Sequence, residues 1–149
     1  YCREFGLRPV LEFIPYSQIR SLAEAHRFLE ISGESDAGLL VDALHLSRSG
    51  ARPSDLLAYP KDLFSYMHLC DAPLPAPTGP DVRVEAREKR LYPGEGDLPL
   101  IEFVNCFEKG TPVSIEAPNS RHAHLSLAEQ ARLAAEAAKT LLARANADQ

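Results

Sequence analysis

The sequence predicts an α/β fold with a parallel sheet, and three observations carry that prediction. Four short apolar runs show no in-out alternation, as strands covered on both faces require. Segments of helical periodicity separate the runs, supplying the crossovers that parallel neighbours need. Each run also delivers one metal-ligating side chain at or near its C-terminal end, where parallel α/β folds build their sites.

The first run spans Arg8 to Ile14 and is followed by Ile19, Leu22, Ala23, His26 and Leu29 at helical spacing, with Gly33 as terminator. The second run is Gly38 to Leu44. Pro53, Ser54 and Asp55 then open a helix of a turn or two that stops before Pro60. The third run is Leu63 to Leu69. Residues 71–99 follow, a proline-rich insertion carrying Pro73, Pro75, Pro77, Pro80, Pro93 and Pro99, expected to be a partly ordered lid, with a plain linker as the alternative. After a further helix comes the last run, Pro112 to Ala117. Ser126 and Glu129 form an S-x-x-E capping box that opens a long alanine-rich helix, with Leu127, Ala131, Ala134, Ala138 and Leu141 on one face.

The composition, 45% hydrophobic and 25% charged over 149 residues, is that of an ordinary globular domain. Sixteen Lys and Arg against 21 Asp and Glu give a net charge of −5, and no basic stripe follows a phosphate backbone, so nucleic acid is not an expected partner. No stretch reaches the roughly 18 apolar residues of a membrane span, and the first residues lack the pattern of a signal peptide, so a cytoplasmic location is expected. Cys2, Cys70 and Cys106 are odd in number and lack a CxxC pair, which suggests buried thiols rather than disulfides or a thiolate zinc site.

The chemistry concentrates at the strand ends. Glu12 interrupts PVLEFI, Asp42 ends GLLVD, His68 sits in SYMHLC and Glu116 in PVSIEA. Their intervals of 30, 26 and 48 residues match two units of a (β/α)8 barrel, at about 31 residues each, and a third unit enlarged by an insertion. Any one of the four could be a strand-end group held by a salt bridge or helix cap, but together at repeat spacing they read as a site. Three carboxylates and an imidazole suit Mn²⁺, Mg²⁺ or Co²⁺, with Zn²⁺ as a further candidate. Without a cation the carboxylates should repel one another and raise their own pKa values. His45, three residues after Asp42, could face the same cavity or lie in a solvent-exposed loop. Arg90 offers a planar fork for substrate oxygens beside PGEG, which is neither a dinucleotide nor a Walker loop. Arg48, Arg83 and Arg87 are expected to be solvated, His26 to pack on a helix face, and His122 with His124 to be a weak metal pair.

Five motifs in order, L-E-F from Leu11, D-A-L-H from Asp42, H-L-C-D-A-P from His68, R-L-Y-P-G-E-G from Arg90 and S-I-E-A-P-N from Ser114, resemble the xylose-isomerase-like TIM-barrel superfamily. More narrowly, the chain is similar to the sugar phosphate isomerase/epimerase family, which also holds ketose 3-epimerases, hydroxypyruvate isomerases, and inosose and 3-dehydroshikimate dehydratases. The resemblance implies that residues 1–149 form the C-terminal half of one barrel, strands five to eight. It implies that Glu12, Asp42, His68 and Glu116 bind the cation, that Glu12 and Glu116 also move protons, and that His45 and Arg90 contact substrate oxygens. The proline-rich insertion between His68 and Arg90 departs from the ketose epimerases, and the acidic charge separates the chain from the related endonuclease IV.

The expected activity is divalent-metal-dependent isomerisation or epimerisation of a sugar or polyol-derived ketone, by proton transfer beside a carbonyl through an enediolate. A dehydratase using the same enediolate, or a non-catalytic binding domain on the same scaffold, are the alternatives. At about 31 residues per unit the chain supplies four units and not eight. It is therefore expected to be a fragment, or to need the N-terminal half of the barrel or self-association.

Overall fold

The computed structural model describes residues 1–147. Its strands are β1 (Val10–Glu12), β2 (Gly38–Asp42), β3 (Phe64–Leu69) and β4 (Val113–Ile115), and its α-helices are α1 (Leu22–Ser32), α2 (Ala43–Arg48), α3 (Asp81–Glu88), α4 (Leu100–Asn105) and α5 (Leu127–Ala147). The strands form one parallel sheet in the order β1-β2-β3-β4. Periodicity is compatible with either a barrel or an open sheet. A strictly sequential parallel order, with no reversal at a switch point, is that of a barrel, here four βα units of one. No helix among the described residues is long and apolar enough to cross a membrane.

Register separates the sheet into two faces. Leu39, Val41, Met67 and Leu69 are at most 3% exposed and pack towards the helices with Phe13, Leu44, Leu56 and Phe103. Cross-strand partners in a parallel ladder share a face, and residues two apart along a strand share it too. Glu12 pairs with Leu40, Asp42 with His68, and His68 with Ser114. Leu40 and Asp42 are two apart, as are Ser114 and Glu116. All four proposed ligands therefore lie on the face opposite the helical layer, at its C-terminal rim.

The helices begin and end where local chemistry says they should. Ser21 Oγ accepts the Glu24 N–H at 3.3 Å to open α1, and Gly33 closes it in the left-handed conformation at φ 69°. At α5 the capping box forms as expected, Glu129 Oε2 accepting the Ser126 N–H at 3.0 Å and Ser126 Oγ accepting the Glu129 N–H at 3.3 Å. The buried faces differ from expectation. Ala25 replaces Ala23 on the core side of α1, and Ile19 precedes that helix. On α5 the buried residues are Ala138, Leu141 and Ala145, while Leu127 is 84% exposed and Ala131 is exposed. The reason is length: α5 packs on α4, and six residues of helix reach about 9 Å along a neighbour about 31 Å long.

Two further expectations change. The second strand stops at Asp42 instead of Leu44, because Asp42 Oδ1 accepts the His45 N–H at 2.9 Å and caps α2. Residues 71–99 are far from irregular. They contain α3, and Asp71 and Leu91 form an antiparallel bridge. Asp71 is 1% exposed and its carboxylate accepts N–H groups from Ala72 (2.8 Å), Gly94 (2.9 Å) and Leu98 (3.0 Å), folding the two ends of the segment together. Gly96 sits against this knot. A Cβ there would lie 2.6 Å from both Ala72 O and Asp71 Oδ1. Gly96→Ala should therefore lower stability by about 1–3 kcal/mol, the range for forced overpacking, measured by denaturant unfolding.

Candidate functional site

Four strand ends bring four donors together: Glu12 ends β1, Asp42 ends β2, His68 is the penultimate residue of β3 and Glu116 follows β4. One ligand atom from each lies within 4.8 Å of the others, and this is the cluster of its kind found among the described residues. His68 Nδ1 lies 3.2 Å from Glu116 Oε2, 3.7 Å from Glu12 Oε1 and 3.9 Å from Asp42 Oδ2. Asp42 is fully buried, while the Glu116 side chain is 44% exposed, so the cluster opens towards solvent on the β4 side.

The two remaining predicted site residues border the cluster. His45 is not in a loop. It stands on α2, 3% exposed, with Nε2 4.0 Å from Glu12 Oε1 and its ring edge-on to Tyr16. Arg90 is buried against Asp42, Nη1 donating to Asp42 Oδ2 at 2.6 Å. The expectation of solvation fails for Arg48, whose side chain is 2% exposed and forks onto Glu85 of α3 at 2.7 and 2.8 Å while donating to Pro73 O. That pair fastens the proline-rich segment to α2. Arg83 stays exposed but stacks over the Tyr16 ring at 5.2 Å. His122 stacks on Tyr92 at 4.8 Å and lies apart from the cluster, and His26 packs edge-on to Tyr59.

Two residues that sequence reading passed over complete the surroundings. Tyr16 links His45 to Arg83, and Asp71 ties the loop of Gly94 and Gly96 to the end of β3. Asp71 stands in the H-L-C-D-A-P motif, three residues after His68, yet its partners Gly94 and Leu98 lie 23 and 27 positions on, so the motif does not reveal what it holds. Cys70 is a buried thiol as expected, and burial pushes its pKa up.

The electrostatics are uneven across the carboxylates. Burial, together with the charges of Asp42 and Glu116, pushes Glu12 up to about 7. Glu116 moves the other way, held below the ordinary carboxylate value by its hydrogen bond to His68, and the same bond raises His68. The expectation that every carboxylate is raised is thus corrected for Glu116, because its hydrogen bond with His68 favours the ionised form. Burial lowers His45.

These residues fit a divalent cation. Glu12 Oε1 is buried without any hydrogen-bond partner, an expense that a bound cation would remove. The donor set, oxygen-rich with one imidazole, is one that such ions accept. Binding must displace the proton of Glu12 and that of His68, so affinity should fall as pH drops below about 7. Calorimetric titration with Mn²⁺ at pH 6 and pH 8 checks this: weaker binding and more protons released are expected at pH 6, and equal affinity at both would contradict the assigned protonation states.

Residues 1–144 match the model of the xylose isomerase-like TIM barrel. The chain is 27% identical over 137 residues to an inosose isomerase of Halalkalibacterium halodurans, covering 89% of this chain and 47% of that protein. A xylose isomerase domain protein from Alicyclobacillus acidocaldarius superposes with TM-score 0.74 at 28% identity, over 97% of this chain and 54% of the other. The crystal structure of the IolI protein with a bound zinc atom superposes with TM-score 0.74 at 20% identity, over 97% and 50%. The chain thus spans about half the length of these relatives. Four parallel strands in sequential order, their ends converging on one cluster, and a match over nearly every residue place this chain in the xylose isomerase-like TIM-barrel family.

Proposed function

We propose that this chain carries the metal-binding end of an isomerase or epimerase acting on a sugar or a polyol-derived ketone, by moving a proton beside the carbonyl through an enediolate. The observation that carries the proposal is the convergence of Glu12, Asp42, His68 and Glu116 within 4.8 Å. The isomerase named among its relatives and the shared fold with a D-psicose 3-epimerase support the same reading. Mn²⁺, Mg²⁺ and Co²⁺ suit the hard oxygen donors, and zinc is in keeping with the metal of the IolI structure. A bound divalent cation would polarise the carbonyl and stabilise the charge that develops beside it.

The chain's own groups divide the proton work by environment. Glu116, which faces the buried guanidinium of Arg90 at 3.2 Å, is the acceptor for the α-proton. Glu12, whose own proton the cation displaces, delivers to the enediolate a proton taken up from solvent. Return of the proton to the opposite face of the same carbon gives an epimer; return to the neighbouring carbon gives an isomer. His45, kept neutral by burial, offers its ring to a substrate oxygen beside Glu12. The edges of β1 and β4, open among the described residues, call for further strands, from this polypeptide or a second copy, to close a barrel of eight.

The test is a metal-replete screen of ketoses and cyclic ketones followed by Glu12→Gln and Glu116→Gln. Each variant should bind substrate yet lose about 10²–10⁴-fold in kcat, the usual range for a removed acid or base. Undiminished turnover in either variant would refute the assignment, and an aromatic, UV-absorbing product would mark a dehydratase instead.

A further inference from the structure

Arg90 closes the inner side of the cluster and is 3% exposed. Its Nε donates to the Ala86 carbonyl at 2.8 Å. Nη1 donates to Asp42 Oδ2 at 2.6 Å and to the Glu116 carbonyl at 2.9 Å, and lies 3.4 Å from Cys70 Sγ. Nη2 faces Glu116 Oε2 at 3.2 Å and His45 Nε2 at 3.4 Å. A guanidinium has five N–H donors on three nitrogens, and each nitrogen here already meets acceptors of the protein. The family resemblance implies that Arg90 contacts substrate oxygens; beside that contact, the packing gives it work within the protein.

That work is visible at Asp42. The carboxylate is fully buried; Oδ1 accepts the His45 N–H and Oδ2 accepts Arg90 Nη1, so both oxygens are fixed. The same guanidinium grips the loop of Glu116 by its carbonyl and its carboxylate. A carboxylate oxygen offers two lone pairs, so Asp42 Oδ2 can keep Arg90 on one and present the other to an ion.

We infer that Arg90 is a positioning residue of the metal centre: it holds the Asp42 carboxylate and the Glu116 loop at the spacing that receives a divalent cation, and it stays on them when the cation is bound. The inference rests on the metal-dependent reading proposed above. Its content is geometric, because the positive charge by itself would repel an ion. Arg90→Lys isolates the geometry, since it keeps the charge and loses the planar fork that spans two partners.

Calorimetric titration of Mn²⁺ into the full chain should show binding, and Arg90→Lys should bind about tenfold or more weakly, the scale on which partners of ligand side chains act. The Mn²⁺ electron paramagnetic resonance spectrum should change with it. Wild-type affinity with an unchanged spectrum, including the case where only KM for substrate rises, would overturn the inference and leave the metal site standing. Absence of Mn²⁺ binding by the wild type would overturn both. A measurement on the wild type alone covers the case of a poorly folded variant: the Arg90 side-chain N–H resonances should remain slow to exchange when Mg²⁺ is added, and their loss of protection would overturn the inference.

Discussion

Three carboxylates and two cationic groups meet at one end of the sheet, and the contact between Asp42 and Arg90 is the one on which the others depend. Asp42 is fully buried at the end of a central strand, where a polar group without partners is costly. Arg90 at 2.6 Å and the first turn of α2 offset that cost. With Asp42 fixed, its register partner His68 stands beside it, and His68 in turn draws in Glu116. Glu12 is the member left uncompensated, which is why its proton is held near neutrality and why one of its oxygens lacks a partner. Without the protons of Glu12 and His68, three carboxylates stand against the one guanidinium of Arg90, and a divalent cation balances the remainder.

Arg90 reaches Asp42 only because the proline-rich segment is folded. Asp71 gathers three backbone N–H groups from both ends of that segment, Gly96 leaves room for it, and the bridge from Asp71 to Leu91 places Arg90 over the end of β3. The buried pair of Arg48 and Glu85 fastens α3 to α2 from the other side. What looks in sequence like a loose insertion is in part a buttress. Its exposed portion carries Arg83 over Tyr16, at the edge of His45, so the insertion also borders the cluster on the His45 side.

The sheet supports the site with few residues. β1 and β4 have three residues each, and most of the core lies on the helical face. The opposite face carries chemistry at its rim, and its edges are open among the described residues. A barrel solves both needs at once, since closure pairs the edges and the rim gathers every strand end around one axis.

Much of this was legible in the residues themselves. Glu12, Asp42, His68 and Glu116 could be picked out because ligand types recur at the repeat length of a βα unit, and a repeat that keeps register keeps the face. The capping box of α5, the end of α1 at Gly33 and the buried Cys70 also follow from local rules. Other features depended on partners distant in sequence. Helical periodicity marks a face but not how far along it a neighbour reaches, so Leu127 read as core and lies in solvent. Arginines look alike in sequence, yet Arg48 is buried because Glu85, 37 residues away, meets it. Arg90 shows the division most clearly. Its sequence placed it near the site, but only the packing of two loops around its guanidinium decided that its donors face Asp42 and Glu116, because hydrogen-bond partners are assigned by proximity in space.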